Sequence, residues 1–143
     1  MKFDLDAIDT KTLADEGVFM AVKKVGSDEP LMARNGQPVR LRILGPDSDR
    51  YREISRRQIQ KRLRRYEGGK AQEIDLDEAE RDTLDILVAC TVGWENVFTP
   101  EGNEIPYSEA AARALYTNYP VLREQVDAFA TSRANFMKAS SGS

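Results

Sequence analysis

The chain has 143 residues, enough for one domain with a single core, and its 21 basic against 24 acidic side chains leave a net charge of -3, so nothing global points to nucleic acid or an anionic membrane. It has no histidine and one cysteine, which removes Ser-His-Asp and Cys-His catalysis, the usual zinc sites and any intrachain disulfide. Apolar residues make up 41 % and charged residues 31 %, the balance of a modest core under a well-solvated surface, and no apolar run approaches the roughly 18 residues of a membrane span.

Phe3, Leu5 and Ile8 alternate loosely with Asp4, Asp6 and Asp9, without the apolar run of a signal peptide. A short helix is expected from Thr10 to Glu16, closed by Gly17. Residues 1–9 and 138–143 are expected to be flexible. From Val18 to Leu44 the apolar period becomes two: Val18, Met20 and Val22 share one face, and Val39, Leu41 and Ile43 alternate with Arg40 and Arg42. Asn35-Gly36 suits a type I′ turn, with Leu31–Arg34 as a short middle strand. The expected product is an antiparallel meander over about 18–44, needing helices against its apolar face.

Gly45-Pro46-Asp47-Ser48 ends the strands, and Asp47 or Ser48 can cap a helix from about Asp49 to Tyr66. That helix is strongly basic. Gly68-Gly69 breaks it, and an acidic stretch from Glu73 to Asp85 follows. Asp75 and Glu78 resemble a capping box, so the next helix starts near Leu76, grows apolar through Leu87 and Cys90, and is expected to end near Gly93. An irregular loop from Trp94 to Tyr107 comes next. Ser108 caps a short helix, and Pro120 opens a last one carrying Leu122, Val126, Phe129, Arg133 and Phe136 at helical spacing. The fold class is therefore α+β: a strand ribbon followed by four helices, in a single domain spanning 1–143.

Candidate chemistry is thin. The basic helix 50–65, including Arg56, Arg57 and Arg64, reads first as pairing with the acidic stretch in a helical hairpin. A protein-partner surface is the second reading, and nucleic acid the third, because no aromatic residues interleave for base stacking. The acidic cluster around Asp75, Glu78 and Asp82 lacks a calcium-loop pattern and reads as a solvated face. Cys90 reads as a buried small hydrophobe. Trp94 suits the closure of a helical core, while Phe98 and Tyr107 divide between core and partner contact. No catalytic residue, metal or cofactor site emerges, and the expected role is not enzymatic.

Two stretches carry a family resemblance. Gly45 to Ser48 open the basic helix, and Gly93-Trp94 leads through a loop to Pro106-Tyr107-Ser108-Glu109 and two short helices. Across roughly residues 18–137 the chain resembles the tail assembly chaperones of long-tailed, siphovirus-type bacteriophages. The resemblance implies a protein that binds the helical, aggregation-prone tape measure protein and keeps it soluble until the tail tube polymerises. It implies contact with the major tail protein, self-association in some relatives, work in the host cytoplasm, and absence from the mature virion. The partner-binding residues it suggests here are Arg56, Arg57, Arg64, Trp94, Phe98, Tyr107, Phe129 and Phe136. The alternatives are a structural tail or head–tail connector protein of the virion, and a nucleic-acid-binding regulator using the basic helix.

Overall fold

The computed structural model describes residues 5–67 and 75–138. The expected break at Gly68-Gly69 and much of the expected flexible ends fall outside these residues. Residues Leu5–Ile8 form a 3-10 turn, followed by α1 at Thr12–Glu16. Asp9 starts α1: its carboxylate accepts from the N–H groups of Lys11 and Thr12, both at 3.0 Å. Gly17 ends it at φ 91°, its N–H bonded to the Leu13 carbonyl.

The chain then enters β1 (Val18–Ala21), which pairs antiparallel with β2 (Arg40–Ile43) in the register Met20↔Leu41. The residues expected to form a middle strand do not. Lys23↔Pro30 and Met32↔Pro38 are isolated bridges: Leu31 donates its N–H to Val22 O while its C=O accepts from Val39 N–H, so the segment is divided between two partners and neither pairing runs on into a ladder. The Asn-Gly turn also differs from expectation. Gly36 alone takes positive φ, at 79°; its N–H bonds to Ala33 O, and Ala33 N–H bonds to Gln37 O. That is a three-residue loop with glycine in the left-handed position rather than a type I′ turn.

Helix α2 runs over Asp49–Glu67. Ser48, fully buried, is its cap: Oγ accepts from Tyr51 N–H at 3.1 Å and donates to Gly45 O at 2.6 Å. Asp47 instead accepts from Thr10 Oγ1 at 2.6 Å and from the Arg133 guanidinium, tying both ends of the described chain to the start of α2. Helix α3 occupies Leu76–Cys90 with Asp75 capping the Asp77 and Glu78 amides. It stops three residues earlier than the sequence suggests. Thr91 is already extended, and Thr91–Glu95 form β3, the third strand of the sheet, beside β2 in the order β1-β2-β3. Two β-branched residues and Trp94 favour strand geometry there, and pairing with Arg40–Ile43 overrides the apolar continuity of α3.

Helix α4 (Glu109–Asn118) is capped by Ser108, whose Oγ accepts from Ala111 N–H at 3.0 Å. Helix α5 (Pro120–Ala130) has Pro120 in its first turn. It ends earlier than the apolar stripe suggests, and Arg133–Phe136 form a 3-10 turn. The architecture is thus α+β in two layers. One face of the sheet, through Met20, Val22, Leu41 and Ile43, packs on Leu87 and Val88 of α3, Ala112 and Tyr116 of α4, and Val126 and Ala130 of α5. The other face carries Phe19, with the Arg40 guanidinium 4.6 Å from its ring centre.

Candidate partner-binding site

An apolar concavity lies at one end of the sheet. It is a groove of about 450 Å³. Val22, Val39 and Leu41 line its base, the β1–β2 connection supplies Val25, Leu31 and Met32, and the segment after β3 supplies Val97, Phe98 and Pro100. Leu115 and Tyr119 of α4 and Val121 and Leu122 of α5 complete it. Val25 is 80 % exposed and Met32 48 % exposed, and Leu31, Tyr119 and Val121 are exposed too. Several large apolar side chains therefore face water around one hollow, an arrangement that marks contact surfaces more often than solitary exposed residues do.

Polar clamps hold the groove open. Asn96 takes the left-handed conformation, φ 65°, a shape asparagine tolerates better than most residues. Its amide donates to Pro38 O at 3.0 Å, and its Oδ1 accepts from Asn35 Nδ2 at 2.8 Å. Arg34 donates to Pro100 O and lies across Gly102, where a Cβ would stand 3.0 Å from the guanidinium. The loop 96–102 and the 33–38 turn thus form one wall. Gln125 of α5 closes the other side: its side-chain amide accepts from Lys23 N–H at 2.8 Å and donates to Lys23 O at 3.0 Å.

The eight candidate residues do not converge. Phe98 lines the groove. Trp94 and Tyr107 form a separate pair, with ring centres 5.2 Å apart and planes at 88°. Both are partly buried against the core rather than presented on a loop. Trp94 Nε1 donates to Ile105 O at 2.8 Å, and Tyr107 donates to Thr91 O. Trp94 therefore sits mid-strand in β3 and pins the returning loop, not the end of α3. Phe129 packs edge-on against Phe136, with ring centres 5.6 Å apart. Phe136 has 0 % exposure, so it is a core residue and not a contact residue, because the chain turns inward after Ala130 and seats the ring under Gly45. The sequence gives no sign of the exposed members of the groove. Val25 and Met32 lie in the β1–β2 connection and Val121 far along the chain in α5, and no periodicity joins them.

The basic helix mostly serves the fold. Lys61 stands 3.3 Å from Glu78, Arg62 is 3.1 Å from Asp82, and Arg65 also bonds Glu78. The Arg65 hydrogen bond, with Lys61 beside it, pulls the Glu78 carboxyl down to about 2. Arg57 pairs within its own helix with Glu53 at 2.5 Å. Among the described residues, Arg56 and Arg64 form no ion pair and point to solvent. A second, charged cleft of about 360 Å³ between α2, α3 and α4 mixes Arg50, Arg57, Lys61 and Arg113 with Asp82, Asp85 and Glu109, so it carries no single sign.

Chemical reactivity is muted. Burial pushes the Cys90 thiol up to about 12, which keeps it protonated and a poor nucleophile. Tyr116 is fully buried, and burial raises its hydroxyl pKa; it bonds Thr91 Oγ1 at 2.6 Å. Thr91 Oγ1 donates to Leu87 O at 2.7 Å, so the tyrosine is the donor of the pair. Among the described residues, no group of three or more cysteine or acidic side chains could hold a metal ion, and no helix is long and apolar enough to cross a membrane.

No curated protein and no solved structure matches the chain. The model of one family, described as YdaY prophage protein, matches residues 46–142, from the turn before α2 to beyond the Arg133–Phe136 turn. That stretch contains α2 to α5, β3 and the Trp94–Tyr107 pair. By that match over most of its length, the chain belongs to the YdaY prophage protein family and is a phage-derived protein.

Proposed function

We propose that this protein is a non-enzymatic tail assembly chaperone that works in the host cytoplasm. It binds the phage tape measure protein and keeps it soluble until the tail tube polymerises, with the major tail protein as a second contact. One observation carries the reading: a prophage protein exposes apolar side chains around a groove whose polar clamps keep it open without a partner. A tape measure segment with an apolar helical stripe would lie in the groove and cover Val25, Met32, Phe98 and Val121. The cationic α2 surface, with Arg56 and Arg64 unpaired among the described residues, would receive acidic stretches of the same partner.

Co-expression with the tape measure protein of the same prophage tests this. The partner should stay soluble and co-purify, and a Met32→Lys, Val121→Asp double variant should lose both effects. Both positions are exposed, so the variant should fold as the parent does. A tape measure protein equally soluble with the parent, the variant or no chaperone would reject the proposal. Recovery of the protein in purified virions would favour a structural tail role instead.

A further inference from the structure

β1 is an edge strand, and among the described residues its outer edge is open. Val22 N–H bonds to Val39 O, which fixes the alternation of the ladder. Val18, Met20 and Val22 turn their backbone groups toward β2, and Phe19, Ala21 and Lys23 turn theirs outward. At Lys23 the outward N–H and C=O are both taken by the Gln125 amide. At Phe19 and Ala21, among the described residues, the outward groups have no partner. Edge strands are normally protected by lysine, proline or a bulge. The run Val18-Phe19-Met20-Ala21-Val22 has none of these.

We infer that this edge pairs with the same edge of a second copy of the chain, antiparallel about a two-fold axis through Met20. Two features select a second copy. The strand is self-complementary in shape: the axis sets the large Phe19 beside the small Ala21 of the second copy, on the exposed face of both sheets. Its ends are also complementary in charge. Glu16 precedes the strand and Lys23 and Lys24 follow it; the lysines already face Asp28 at 3.7 Å and Glu29 at 3.4 Å in their own turn, and antiparallel pairing adds Glu16 of the second copy beside them. A parallel arrangement would set like against like. The N–H of Phe19 would donate to Ala21 O of the second copy, and the N–H of Ala21 to Phe19 O, in both directions. The Gln125 clamp at Lys23 stops the ladder there and so fixes the register. The result is a continuous six-stranded sheet across an isologous dimer.

Amide hydrogen exchange and sedimentation equilibrium on the full chain, over a concentration series, test the seam. The chain should dimerise, and the amides of Phe19 and Ala21 should slow in step with dimer formation. Ala21→Pro removes an outward N–H that the monomer does not use, and should raise the dimer dissociation constant at least about tenfold. Ala21→Lys, which keeps the backbone intact, should do the same if the proline variant fails to fold. Raised salt should weaken the dimer. A chain that stays monomeric throughout overturns the inference. So does a dimer in which those two amides exchange as fast as in the monomer, or one that Ala21→Lys leaves intact. Protection of the same amides only on adding an extended peptide would assign the edge to a different partner, and would likewise overturn it.

Discussion

The contact between Gly45, Ala14 and Phe136 offers the sharpest test of the packing. Gly45 joins β2 to α2, and its N–H bonds to Ala14 O at 3.1 Å. A Cβ at this position would stand 2.7 Å from Ala14 Cβ and 2.8 Å from Phe136 Cγ and Cδ2. Carbon atoms prefer about 3.5–4.0 Å, so Gly45→Ala overlaps three atoms by close to an ångström. None can retreat easily: Ala14 Cβ is fixed to the backbone of α1, and the Phe136 ring is fully buried against Phe129. Overpacking of this kind costs about 1–3 kcal/mol. Phe136→Ala alone should cost about 3–5 kcal/mol through lost burial and a residual cavity. The two should not add. With the ring gone, the two overlaps with Phe136 disappear while that with Ala14 remains, so the double variant should be more stable than the sum by about 1 kcal/mol. Urea denaturation of the four proteins, followed by Trp94 fluorescence, gives this coupling. Simple additivity would mean that Phe136 does not seat under Gly45, and would refute the placement of the C-terminal turn.

Tyr116→Phe removes the donor to Thr91 Oγ1 in a buried site and should lower stability by about 1 kcal/mol, measured by the same denaturation, while leaving Thr91 its bond to Leu87 O. Acid should unfold the protein through carboxylates held below their ordinary range. Glu78 is at about 2 because Arg65 and Lys61 bond it, and Asp47 is lowered chiefly by Thr10 and then by Arg133. A depressed folded-state pKa stabilises above the unfolded value, and that contribution disappears as pH falls through the folded one. For Glu78 the loss therefore falls between about pH 4.5 and 2. Glu78→Gln should flatten the thermal stability curve over that interval, and an unchanged curve would show that the pairs of Glu78 with Arg65 and Lys61 do not form in solution.

The parts of the fold that follow from local chemistry are legible in the sequence. Ser48, Asp75 and Ser108 act as helix caps, Pro120 opens α5, Gly17 closes α1, and opposite charges on α2 and α3 meet. The parts that depend on distant partners are not. Residues 91–95 continue an apolar run, and only the pairing of Leu41 with Trp94 makes them a strand. Phe136 continues a helical stripe by spacing, yet the helix stops at Ala130 and the ring is turned inward. The groove escapes detection for the same reason. Its walls come from three separated segments, joined by Asn96 and Gln125 side-chain bonds that no periodicity encodes. Of the aromatic residues that draw attention in the sequence, Phe98 alone reaches it from the Trp94–Tyr107 segment.

The late arrival of β3 has a consequence for synthesis. β2 ends at Ile43, and its second neighbour begins only at Thr91. As the chain leaves the ribosome, β1 and β2 can form a two-stranded ribbon, which is marginal in water on its own. That ribbon must wait for α2 and α3 before it gains either its third strand or a helix for its apolar face. During this interval the unprotected run Val18–Val22 is open on its outer side, and Arg40–Ile43 lacks the strand that later covers it. The order of translation therefore places the moment of greatest aggregation risk in the middle of synthesis. A fragment limited to residues 46–142 would carry the opposite defect, a β3 with no strand to join.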